Sequence, residues 1–133
     1  MNRRDETAHQ QRLQTALDHW SDWNPCPIER VQSFESGLTN DSYLLHASGK
    51  KFVLRINSSN SAALDLNRNL EIEILQSAAH AGIGAKLKYS DPDIKYLIFD
   101  YIEGQQWLAE LSTTANGISK LSSLLRAIHH LEP

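Results

Sequence analysis

Lys51-Phe52-Val53-Leu54-Arg55-Ile56 decides how this chain is read: a stretch rich in β-branched and aromatic residues that predicts a strand carries an arginine next to its last residue. Upstream lies Ser36-Gly37-Leu38-Thr39-Asn40, a turn set between two strand-like runs, and downstream a helical segment carries Arg68 and Glu71. Each piece alone is ordinary. A Ser-Gly turn between strands is usually just a hairpin, and a lone strand arginine runs its aliphatic stem toward solvent. The order of the pieces says more. Gly37 lets backbone N–H groups approach phosphate oxygens with no Cβ in the way, and Thr39 and Asn40 offer side-chain groups for those oxygens or for the turn itself. The next strand brings a cation back, and Arg68 and Glu71, three residues apart, share a helix face from which a carboxylate can hold that cation and aim it.

The rest of the chain sorts by periodicity. Residues 6–20 place Ala8, Leu13, Ala16, Leu17 and Trp20 near a helical period, and Asn24-Pro25-Cys26-Pro27 ends that helix. Strands are predicted over 28–34, 42–46 and 51–56, the last two divided by the turn Ala47-Ser48-Gly49-Lys50. A long helix is predicted over 61–81, stopped by Gly82 and Gly84. Two short strands, 85–89 and 96–101, flank a turn at Ser90-Asp91-Pro92-Asp93. Gly104 ends the second, and helices follow around 107–111 and over 118–131, where Leu121, Leu124, Leu125 and Ile128 form a stripe. The expected fold is α+β: a five-stranded antiparallel sheet with one long helix packed on it and helices at both termini.

At 133 residues, the chain is sized for one domain with a real core, and a two-domain enzyme does not fit. A hydrophobic fraction of 41% and a charged fraction of 22% are ordinary for a globular protein, and a net charge of −3 gives no footprint for nucleic acid or an anionic membrane. With no membrane-length apolar run and a polar start, Met-Asn-Arg-Arg-Asp-Glu, the expectation is a cytoplasmic protein. Cys26 is the single cysteine and is read as a buried or loop thiol. His129-His130 is no metal pair, because adjacent helical residues point about 100° apart. Trp20 and Trp23 are expected to pack the first helix on the sheet, and surface solvation is the default for Asp91, Asp93 and Asp100.

Taken together, Ser36–Asn40, Tyr43, Phe52–Ile56, Arg68-Asn69-Leu70-Glu71, Ala81-Gly82-Ile83-Gly84 and Ile102-Glu103-Gly104 resemble the choline kinase and thiamine kinase branch of the aminoglycoside-phosphotransferase superfamily. The resemblance runs from about Ile28 to the end. It implies a protein-kinase-like N-terminal lobe, with residues 1–27 as a helix and linker, 28–104 as lobe and hinge, and 105–133 as the start of a helical second lobe. It implies ATP as the ligand. Ser36, Gly37, Leu38, Thr39 and Asn40 would lie over the phosphates, with Arg55 on the α- and β-phosphates and paired to Glu71. The carbonyl of Asp100 and the N–H of Ile102 would meet the adenine edge, Phe99 would stand near the gatekeeper position, and Ile56, Val53 and Leu38 would form the ceiling over adenine and ribose, although hydrophobes on strands are more often plain core. Glu73 competes with Glu71 for the pairing, but it lies roughly 200° around the helix, and the family pattern Arg-x-x-Glu falls on Glu71.

The function so implied is transfer of the ATP γ-phosphoryl group to a hydroxyl of choline, ethanolamine or thiamine. No H-x-D-x-x-x-x-N catalytic loop occurs in the sequence, so no catalytic or metal-binding residue is assigned. The Mg²⁺ ligands are expected in a second lobe, and the chain alone is expected to be inactive. Another reading is a non-catalytic module that binds nucleotide or a partner, and a further expectation is self-association through an exposed interlobe face.

Overall fold

A computed structural model describes residues 3–34, 40–57, 67–104 and 113–131. In chain order come α1 (Arg3–Asp18), a 3-10 turn (His19–Asp22), β1 (Arg30–Ser33), β2 (Asn40–Ala47), β3 (Lys50–Asn57), α2 (Arg68–His80), β4 (Leu87–Ser90), β5 (Tyr96–Asp100) and α3 (Ala115–His129). The strands form one sheet in the order β1-β2-β3-β5-β4, with every neighbouring pair antiparallel. The expected sheet and the helix after its third strand are both present. The short helix expected around 107–111 lies outside the described residues.

Local chemistry sets the connections. Ser48 and Gly49 both have positive φ, at 51° and 70°, and Ala47 pairs with Lys50 across them, so β2 and β3 are joined by the two-residue turn whose twist matches that of the strands. The helix α2, predicted from residue 61, begins at Arg68. Asn67 is extended and its side chain accepts the N–H of Leu70 at 3.1 Å, capping the helix there, while residues 61–66 are outside the described set. At the other end Gly82 turns the chain at a φ of +72°, and the Ile83 N–H returns to the Ala78 carbonyl at 3.0 Å.

Strand alternation gives the sheet two unlike faces. Tyr43, Leu45 and Ala47 of β2, Phe52, Leu54 and Ile56 of β3, and Tyr96 and Ile98 of β5 share the back face and are buried with Ala16 and Trp20 from the first helical segment. Trp20 meets Phe52 edge-on at 5.4 Å and Trp23 at 4.6 Å, Trp23 stacks on Tyr89 at 5.9 Å, and the Trp20 indole N–H donates to the Cys26 carbonyl at 2.6 Å. Both tryptophans therefore pin the N-terminal segment to the sheet, as expected from the sequence. Asp91 departs from the expected solvation. It is buried, and one carboxylate oxygen accepts the N–H groups of Asp93 and Lys95, at 3.1 and 3.0 Å, which ties the turn into β5.

Candidate functional site

The front face of the sheet carries the charged chemistry. Because β3 alternates, Arg55 points away from Phe52, Leu54 and Ile56; its register partners are Ser42 on β2 and Leu97 on β5. Its guanidinium lies over the Phe99 ring at 5.5 Å and donates through Nη2 to Glu71 Oε1 at 2.8 Å. The anticipated strand-to-helix ion pair is formed, and Glu73, exposed on another side of α2, plays no part in it.

Glu71 holds a second cation. Arg68 Nη1 donates to Glu71 Oε2 at 2.7 Å, and Arg68 Nη2 reaches Asn40 Oδ1 at 3.4 Å, linking the first turn of α2 to the start of β2. The three side chains are largely withdrawn from water, with exposures of 18% for Arg55, 12% for Arg68 and 28% for Glu71. Burial alone would raise the Glu71 pKa. The hydrogen bond from Arg68 and the charges of Arg55 and Arg68 outweigh that and hold it below the ordinary carboxylate value. The sequence placed Arg68 on the right helix face but did not assign it to the site. Its three-residue spacing from Glu71 was the available signal.

The other anticipated residues divide. Ser36, Gly37, Leu38 and Thr39 lie outside the described residues, whereas Asn40 opens β2 and joins the cluster through Arg68. Asp100 ends β5, three residues beyond the Arg55 partner Leu97, hence about 10 Å along the strand. Ile102 follows, 62% exposed. The segment after β5 is tied back by the Tyr101 N–H to the Lys51 carbonyl at 3.2 Å and by the ion pair of Lys51 with Glu103. Ile56 needs correction. It is buried in the back-face cluster, and as the immediate neighbour of Arg55 it must point the opposite way, so it cannot roof a ligand beside Arg55, whereas Val53 shares the Arg55 face and pairs with Phe99.

Two arginines on one carboxylate, each with a buried Nε that has no partner, suit an anionic ligand. A phosphate chain meets that description. Among the described residues no cluster of three His, Cys, Asp or Glu side chains could hold a metal ion. Among them, too, no helix is long and apolar enough to cross a membrane.

The chain matches no protein-family profile and no curated protein sequence. Its fold does match solved structures. A choline/ethanolamine kinase family protein from Mesorhizobium loti superposes with a TM-score of 0.59 at 23% identity over 90% of this chain. The choline kinase LicA from Streptococcus pneumoniae gives 0.63 at 20% identity over 81% of it. A spectinomycin phosphotransferase, solved with ADP and spectinomycin, gives 0.58 at 14% identity over 90%. This chain spans 38% of the length of each. At such identities the likeness establishes the fold: a five-stranded α+β unit of the protein-kinase-like kind, similar to one part of these phosphotransferases.

Proposed function

We propose that this chain is the nucleotide-binding lobe of a small-molecule kinase, one that moves the γ-phosphoryl group of ATP to a hydroxyl of an alcohol such as choline, ethanolamine or thiamine. The observation that carries the proposal is the Arg55–Glu71 pair, 2.8 Å long, set between the third strand and the helix that follows it. In this reading Arg55 meets the α- and β-phosphates and Glu71 fixes its direction, while the Ser36–Asn40 turn covers the same oxygens. The Asp100 carbonyl and the Ile102 N–H take the adenine edge at the far end of β5. Bound ATP supplies the transferable phosphoryl group; these residues hold and orient it. Support for the nucleotide comes from similar folds solved with AMP and with ADP, and a choline-type acceptor is favoured by the kinases among them.

Phosphoryl transfer also needs a base at the acceptor hydroxyl and metal ligands bridging the phosphates. These are assigned to a second lobe of which residues 105–133 would be the start, with 1–27 and 28–104 as the leading helix and the lobe proper. The chain alone then binds nucleotide weakly, transfers nothing, and works in the cytoplasm. Calorimetry with ATP, paired with a radiolabel transfer assay on choline, ethanolamine and thiamine, tests this. Weak, saturable ATP binding without turnover is the expected result; turnover by this chain, or no ATP binding at all, overturns it.

A second reading rests on α3. Ile118, Leu121, Leu124, Leu125 and Ile128 line it and are all exposed, an apolar stripe that favours self-association of the chain through this helix. Sedimentation over a concentration series decides: a monomer at all concentrations removes it.

A further inference from the structure

Charge at the Arg55 cluster does not cancel. Glu71 has two oxygens, each taken by a different guanidinium: Oε1 by Arg55 at 2.8 Å and Oε2 by Arg68 at 2.7 Å. Among the described residues neither arginine pairs with a second carboxylate, so two positive charges share one negative charge and the cluster stands at net +1. An Arg55–Glu71 pair without Arg68 would be neutral as a unit: Arg55 could still orient its free donors toward an anion, but with weaker attraction. Because the side chains are mostly withdrawn from solvent, that difference of one charge is screened far less than it would be on an open surface.

We propose that Arg68 is a positioning residue that makes this cluster an anion site: by occupying the second oxygen of Glu71 it leaves Arg55 with uncancelled charge, and the ligand it favours is a polyphosphate chain. The proposal rests on the nucleotide reading above for the role of Arg55, but it concerns charge balance and not adenine. In this proposal Arg68 acts through Glu71 and not by contact with the ligand. Its bond to Asn40 Oδ1 sets the cluster beside the first residue of β2.

The experiment is a binding series on the full 133-residue chain with tripolyphosphate, ATP and adenosine as separate probes, at fixed low salt. The variants are Arg68→Gln, Arg68→Lys and the double variant Arg68→Gln with Glu71→Gln, each checked for folding by circular dichroism. Arg68→Gln brings the cluster to net zero and is expected to weaken tripolyphosphate binding about tenfold or more, while Arg68→Lys keeps most of it. The double variant returns the cluster to net +1 and should recover binding. A merely structural Arg68 predicts the reverse, because the double variant removes both the brace and the group it braces. Equal tripolyphosphate affinity for parent and Arg68→Gln, or no recovery in the double variant, overturns the proposal, as does a parent chain that binds no tripolyphosphate. The nucleotide reading fails separately: if tripolyphosphate binds in an Arg68-dependent way and ATP binds no better, the anion site stands and the adenine assignment falls. If ATP binds but is indifferent to Arg68, the nucleotide reading stands and the charge-balance proposal falls.

Discussion

The two faces of the sheet are built from different forces. Behind it, Leu45, Leu54, Ile56 and Ile98 are sealed by Ala16, Trp20 and a chain of aromatic contacts running through Trp23 to Tyr89. In front, Arg55, Glu71, Arg68 and Asn40 form a hydrogen-bonded polar network, and α2 above it buries no residue completely. The back holds the fold and the front leaves charge available. A residue's face should therefore predict the kind of damage its loss causes, and the back should dominate in free energy.

The largest effect is expected from the back. Trp20→Ala removes a buried ring together with its indole hydrogen bond and should destabilise the chain by about 3–5 kcal/mol in urea titration; Leu54→Ala should cost about 2–5 kcal/mol. A loss under about 1 kcal/mol for both would mean that the back-face core does not hold the fold, and the contrast between the faces would break. Glu71→Gln comes next. Its pair is largely withdrawn from water but not sealed, and Gln keeps an acceptor for the guanidiniums, so a destabilisation of about 1–3 kcal/mol is expected at neutral pH. The pH dependence sharpens the point. Burial raises the Glu71 pKa, but the Arg68 hydrogen bond and the two guanidinium charges lower it by more, leaving the folded value below the unfolded one. The contribution is then fully present above the ordinary carboxylate pKa of about 4.3 and is lost as pH falls through the depressed folded value. The gap between parent and Glu71→Gln in denaturation midpoint should hold steady through neutral pH and close in acid; a gap that widens in acid contradicts the pairing. Smallest of all is Leu124→Gln on α3, where an exposed side chain should change stability within about 0.5 kcal/mol and shift only the sedimentation behaviour.

Much of the back face was legible, because strand alternation and a helical stripe are local signals. Tyr43 and Leu45 on one strand and Phe52 and Leu54 on the next fall on a period of two, and Leu13, Ala16, Leu17 and Trp20 on a period near four. The Arg55–Glu71 pair was also legible, through order along the chain and the helix spacing that disfavours Glu73. What escaped needed three dimensions. Asp91 looked like a solvated turn residue, yet its carboxylate is spent on backbone N–H groups that only the folded turn brings together. Ile56 was placed in the ligand ceiling by the resemblance, with plain core as the other reading; its adjacency to Arg55 on a strand already favoured the core. Arg68 was seen as part of a pattern but not as a partner, since sequence spacing does not show that one carboxylate can serve cations from two different elements. The helix start at Arg68 was missed because apolar periodicity ran on upstream of Asn67, and only its extended backbone and side-chain cap mark the boundary.

The claim on which the account rests is that Arg55 meets phosphate. Phosphorus NMR of ATP titrated with the folded chain and with Arg55→Gln tests it directly. The account predicts that the parent shifts and broadens the α- and β-phosphorus resonances in a saturable way and that Arg55→Gln loses the effect while remaining folded, its unfolding free energy lowered by no more than about 3 kcal/mol. Equal shifts in both proteins, or none in the parent, would contradict it.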